Sequence, residues 1–161
     1  MLVQVLALAV FVFVLWTLFR FAMGLRWAKV SREDVRAVEQ ARGRVVRAEL
    51  PVSGDEIVFF LEDEAGFYWG GRLARKPAIR GARLLLNGAV MASVRRDGED
   101  LPATEPPEEY EGRERWEVVL YLDGGARESI PCGSLREGVS RDVAGRVFEA
   151  VRASLPGRKD P

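Results

Sequence analysis

The sequence predicts an α+β protein, mostly antiparallel β, in which a single N-terminal transmembrane helix precedes a small rolled sheet or barrel of about seven strands closed by a C-terminal amphipathic helix. Three observations carry that expectation. Residues 2–19 read LVQVLALAVFVFVLWTLF, with no charge and only Gln4 and Thr17 polar. Between Arg44 and Pro131, short alternating apolar runs are separated by turn residues, and after Ser140 apolar residues recur every four positions.

The N-terminal run has the length of a spanning helix, since 18 residues rise roughly 27 Å against a hydrocarbon core of roughly 30 Å. It lacks the basic n-region of a secretory signal, and Ala22-Met23-Gly24 is a faint cleavage match, so a retained signal-anchor over residues 1–25 is expected. Arg20, Arg26, Lys29, Arg32 and Arg36 follow the run. Positive charge is held on the cytoplasmic side, which predicts a single-pass protein of the cell membrane, N-terminus outside and C-terminal domain cytoplasmic. The one cysteine, Cys132, agrees with a reducing compartment.

A basic juxtamembrane linker helix is expected over residues 26–43, started by Ser31 as N-cap and stopped by Gly43. The β-rich domain then covers residues 44–155. Strands are read near Arg44–Leu50, Glu56–Glu62, Gly66–Gly70, Ala82–Leu86, Ala89–Arg95, Arg115–Leu122 and Ala126–Pro131. In the sixth, Trp116, Val118, Leu120 and Leu122 alternate with Glu117, Val119, Tyr121 and Asp123, and Asp123-Gly124-Gly125 supplies turn chemistry. Asn87-Gly88 is a second hairpin signal, and successive hairpins imply antiparallel pairing. Val143, Val147, Val151 and Leu155, with Phe148 beside them, form the stripe of the closing helix, capped by Ser140 and ended by Pro156-Gly157 before a disordered tail, 156–161. This order of elements is similar to that of a pleckstrin-homology-like roll, a likeness of order and not of residue motif.

Charge is balanced overall and uneven locally. All 24 acidic residues and all basic ones except Arg20 lie between residues 26 and 161, so net charge points to no partner, and a near-neutral domain argues against nucleic acid. Arg20 to Arg47 holds eight basic and three acidic residues; Arg72 to Arg83 holds Arg72, Arg75, Lys76, Arg80 and Arg83 with no acid. Asp97 to Glu111 holds seven acids and no base, in a stretch too poor in apolar side chains to offset its ordering, which predicts a mobile acidic loop over 97–112. The basic residues of both runs, Arg20, Arg26, Lys29, Arg32, Arg36, Arg72, Arg75, Lys76, Arg80 and Arg83, are the candidate membrane-surface and lipid-binding groups. The second run has a competing use, attraction of the acidic loop.

Catalytic signatures are sparse. The chain has no histidine, and no G-x-S-x-G, P-loop, G-x-G-x-x-G or Cys-x-x-Cys pattern. Cys132 reads as a small buried residue. Phe67 and Trp69 share one face of a strand and belong to a core, with Tyr68 on the other. The expectation is therefore a membrane-anchored cytoplasmic binding or scaffolding module, such as an accessory subunit of a membrane complex, with the lipid bilayer and another membrane or cytoplasmic protein as partners and with no cofactor, metal or catalytic residue assigned. The alternative is a membrane-tethered, divalent-cation-dependent enzyme using Glu62, Asp63 and Glu64, carboxylates able to hold a hard cation.

Overall fold

A computed structural model describes residues 2–51, 57–103, 114–133 and 137–155, with side chains described for 11–21, 23, 33–51, 58–103, 114–133 and 139–155. The chain divides into two units, Met1–Arg42 and Gly43–Pro161.

The first unit is one helix, α1 (Leu2–Ala41). Thr17 donates its hydroxyl to the carbonyls of Phe13 and Val14, both at 2.9 Å, which satisfies the polar group inside the helix. Among the described residues no helix is long and apolar enough to cross a membrane. The apolar run is the first part of α1 and not a helix of its own. The helix then continues unbroken through Arg20 and on past Glu33, Asp34 and Arg36. The expected transmembrane anchor over residues 1–25 is corrected by this finding, and so are the single-pass, signal-anchor assignment and the cell-membrane localisation with its outside and cytoplasmic ends. Ser31 starts nothing either: the chain is already helical there, and its capping signal yields to the helix that precedes it. Gly43 does end the helix, at φ +77, a value that costs a side-chain-bearing residue and not glycine.

Among the described residues the second unit holds eight strands, one more than expected, in two four-stranded antiparallel sheets. The first sheet is the meander β1 (Val45–Pro51), β2 (Ile57–Glu62), β3 (Gly66–Trp69) and β4 (Arg72–Arg75). The second contains β5 (Ile79–Leu86), β6 (Ala89–Arg95), β7 (Trp116–Leu122) and β8 (Arg127–Gly133) in the order β6-β5-β7-β8. Neither sheet closes on itself, so the expected barrel is not formed: the chain turns between β4 and β5 instead of continuing one ladder. The last helix, α2 (Glu137–Ser154), begins earlier than expected and leaves Ser140 inside it and buried.

Strand β4 explains the miscount. Its sequence, RLAR, has one buried residue, Ala74, opposite Phe67 of β3, and an edge strand needs no more than one inward contact to pair. Strand β7 divides its residues between two faces as its sequence does. Trp116, Val118 and Leu120 of β7 face a core shared with Ala48, Leu50, Phe60, Phe67 and Trp69 of the first sheet, Ile130 and Cys132 of β8, and Ala144, Val147, Phe148, Val151 and Leu155 of α2. Phe60 stacks on Phe67 with centroids 5.3 Å apart and rings inclined by 8°, and Trp69 tilts against Phe60 at 6.1 Å, offset geometries that aromatic quadrupoles favour. Tyr68 stays half-buried on the far face.

Phe60→Ala, at a site with no exposure, is expected to cost about 3–5 kcal/mol, whereas Val45→Ala, at an exposed position, stays within about 0.5 kcal/mol. Urea titrations read by tryptophan fluorescence give both values, and equal midpoints would contradict this core.

Candidate functional site

The carboxylate run Glu62-Asp63-Glu64 ends β2 and opens the turn into β3. Glu62 Oε2 takes Arg47 Nε at 2.6 Å and its Oε1 takes Lys76 Nζ at 2.7 Å. Asp63 Oδ1 accepts the backbone N–H groups of Ala65 (2.8 Å) and Gly66 (2.9 Å), an Asx turn that fixes the β2–β3 connection. Its Oδ2 lies 3.7 Å from Arg44 Nε, and the Tyr68 hydroxyl donates to the same carboxylate. Arg44 sits 4.1 Å over the Tyr68 ring, and Lys76 is 5.4 Å over Phe67. Burial pushes both acids upward, but for Glu62 the hydrogen bonds from Lys76 and Arg47 outweigh it, and for Asp63 the Tyr68 hydroxyl, two turn amides and Arg44 do; both are held below their ordinary values. The bond to Asp63, with burial second, raises Tyr68. Two of the three acids are thus committed to cations and turn amides, Glu64 is exposed, and no group of three potential ligands suited to a metal occurs among the described residues.

The basic residues read as one cluster are spread over three elements. Arg72 and Arg75 belong to β4, Lys76 to the 3₁₀ turn Lys76–Ala78, and Arg80 and Arg83 to β5. Arg72 pairs with Glu128 of β8 at 2.7 Å, Lys76 with Glu62, and Arg80 Nε with Glu99 at 2.7 Å. Arg83 donates to the Pro102 carbonyl at 2.7 Å and to the Tyr121 hydroxyl at 3.0 Å. Arg75 alone of the five has no contact of this kind among the described residues and is exposed. The opening of the acidic stretch, Asp97–Ala103, is therefore held against the second sheet by Arg80 and Arg83, where a mobile loop was expected; residues 104–113 lie outside the described residues. Arg20 and Arg36 are exposed on α1, which also carries Arg26, Lys29 and Arg32, their side chains outside the described set. Phe11, Phe13, Trp16, Phe19 and Phe21 are exposed on the same helix.

A groove that the sequence did not anticipate lies between the middle of α2 and β5, β6 and β7. Its volume is about 690 Å³. Leu84, Met91 and Trp116 supply apolar lining, and Arg141, Asp142, Gly145, Arg146 and Glu149 line it from α2. Leu84 pairs with Ala92 and Leu85 with Val90, so Met91 is the extra residue of a bulge in β6, the kind of irregularity that re-aims a side chain. Met91 is 55% exposed there, while the Trp116 ring is buried with its Nε1–H directed at Glu114, 3.3 Å away. Gly145 leaves the helix side open: a Cβ on it would meet nothing within 4 Å. A glycine inside an otherwise apolar-periodic helix is the sequence signal that marks the place, because it costs helix stability with no turn to justify it. No protein family, curated protein or solved structure matches the chain.

Because Glu62 and Asp63 are held below their ordinary values, they stabilise the fold fully above the unfolded carboxylate pKa, about 4, and the contribution is lost as pH falls through the lower folded value. Melting temperature should therefore drop below pH 4, and Glu62→Gln should shallow that acid limb while lowering stability at pH 7; an unchanged acid limb would contradict the pairing. Burial pushes the Cys132 thiol up to about 12. Maleimide labelling at pH 8 should accordingly track global unfolding in urea, and fast labelling of the native chain would refute its burial.

Proposed function

We propose that residues 43–161 form a protein-binding module and that the groove beside α2 is its recognition surface. The observation that carries this reading is the composition and placement of the groove. Met, Trp and Arg are the residue types enriched where proteins bind one another, and here Met91, Trp116, Arg141 and Arg146 meet around one concavity. Its volume falls within the range of ligand sites, yet it lacks the few convergent, desolvated polar groups that orient a small substrate. Its polar rim is of mixed sign, Arg141 and Arg146 alternating with Asp142 and Glu149 along α2. Such a rim suits a peptide segment that inserts one apolar side chain and offers charges of both signs beside it. It does not suit a phosphate backbone, which needs a field of one sign.

Against the reading of a divalent-cation enzyme stands the use already made of its carboxylates. Glu62 answers Arg47 and Lys76, and Asp63 answers two amides, Arg44 and Tyr68. A cation bound there would have to displace those partners before any reaction began. What supports a scaffolding role is the same economy: Glu62 and Asp63 of this turn brace β1, β3 and the 3₁₀ turn.

Gly145→Leu tests the reading without harming the fold. Leucine at an open helical position is expected to stabilise α2 by about 0.5–1 kcal/mol, seen as a raised melting temperature. A displayed peptide library panned against the full chain should enrich sequences with a single apolar anchor, and their affinity for Gly145→Leu should fall at least tenfold. Enriched peptides that bind the filled groove as well as the open one, or a library that yields none, would refute the assignment.

A further inference from the structure

The outer face of the second sheet, away from α2, already holds a bound segment. Residues 96–103 leave β6 and cross that face. Leu101 packs on Leu85, Val119 and Tyr121, each less than a tenth exposed. Its place depends on Gly81: a Cβ there would stand 2.9 Å from Leu101 Cδ2 and 2.6 Å from the Val94 carbonyl oxygen, so the missing side chain is the notch that the leucine occupies. Arg80 holds the Glu99 carboxylate, Arg95 Nη1 lies 2.8 Å from Asp100 Oδ1, and Arg83, 5.1 Å over the Tyr121 ring, holds the Pro102 carbonyl. The seat thus reads a carboxylate, then a leucine two residues on, then a backbone carbonyl, and the strap Glu99-Asp100-Leu101-Pro102 supplies all three.

The strap is held more weakly than the seat is built. It joins no strand ladder, and its backbone attachments are the Arg96 N–H to the Arg80 carbonyl at 2.8 Å and a turn bond from Glu99 to Arg96 at 3.1 Å. Asp100 is 98% exposed, so its pair with Arg95 holds little. Segments with few buried contacts open first, and opening here would bare a contiguous apolar patch of Leu85, Val119 and Tyr121, with Val90 exposed beside Leu85.

We propose that this seat is a second protein-binding site, one that accepts from a partner a peptide segment with a carboxylate two residues before a leucine, and that the strap is its resident competitor. Charge complementarity names the occupant: Arg80, Arg83 and Arg95 surround an apolar notch sized for one leucine. Because the strap is tethered, it competes at the millimolar effective concentration typical of short connections, and a partner of the same chemistry gains the seat when the strap is weakened.

The probe is a fluorescein-labelled peptide with the sequence of residues 96–103, RDGEDLPA, titrated into the full chain. Leu101→Ser should bind it saturably and at least tenfold more tightly than the unaltered chain does. Binding should weaken as salt rises, and it should vanish when the peptide leucine is replaced by serine or when Arg80→Gln is added to the protein. A Leu101→Ser chain that melts cooperatively yet takes up no peptide, or takes up the serine peptide equally, overturns the proposal. Should Leu101→Ser fail to fold, Glu99→Gln carries the test, since it loosens the strap and leaves the leucine seated: measurably tighter peptide binding than in the unaltered chain supports the site, and none overturns it.

Discussion

Two open sheets turn apolar faces toward one core that neither fills alone. The stripe Ala144, Val147, Phe148, Val151 and Leu155 is inserted where β1, β5, β7 and β8 come within reach of α2, and the same stripe therefore desolvates both sheets. Burial of apolar area is the main favourable contribution to such a domain, and here that burial is cooperative because the helix is common to both halves. The rest follows from where the helix sits. Its inward face fixes β7 so that Trp116 stands near Gly145, and its charged side forms the rim of the groove; the opposite face of the second sheet, which the helix does not cover, is left for Leu101.

Ion pairs in this molecule act as positioning devices rather than as the source of its stability. Exposed pairs contribute between nothing and about 1 kcal/mol each. Glu62 nonetheless decides how three elements approach, since Arg47 comes from β1 and Lys76 from the 3₁₀ turn beyond β4. The Glu62 carboxylate, shared by two cations, ties β1 and the 3₁₀ turn to the end of β2, beside the turn that Asp63 closes. The same logic draws Glu99 onto β5 through Arg80.

Where local pattern determines the outcome, the sequence is a faithful guide. The alternation from Trp116 to Leu122 places its inward and outward residues as drawn, and Asn87-Gly88 takes the left-handed values, φ 49 and 81, that its hairpin requires. Phe67 and Trp69 are core and Tyr68 is not, as period two demands. What escaped depends on partners distant in the chain. RLAR becomes a strand because β3 offers it an edge; Leu101 becomes buried because Gly81 offers it a notch; Arg72 finds Glu128 fifty-six residues away. The N-terminal run was read by its composition as a unit of about eighteen residues, whereas the helix it belongs to ignores that limit and continues to Ala41. The groove beside Met91 and Gly145 depends on the bulge in β6 and the bare side of α2 together, two elements about fifty residues apart in the chain.

The position of α2 after every described strand sets an order of events during synthesis. A ribosome adds about 5–20 residues per second and the N-terminal part emerges first, so all eight strands leave the exit tunnel before the helix that both sheets require. Until Leu155 is free, the inner faces carrying Phe60, Phe67, Trp69 and Val118 have no common cover. For that interval the nascent chain is a pair of hairpin-rich ribbons with exposed aromatic surface, a state prone to aggregate. A chain that stopped between Gly133 and Leu155 would be left in that state, with every described strand made and no helix to cover them.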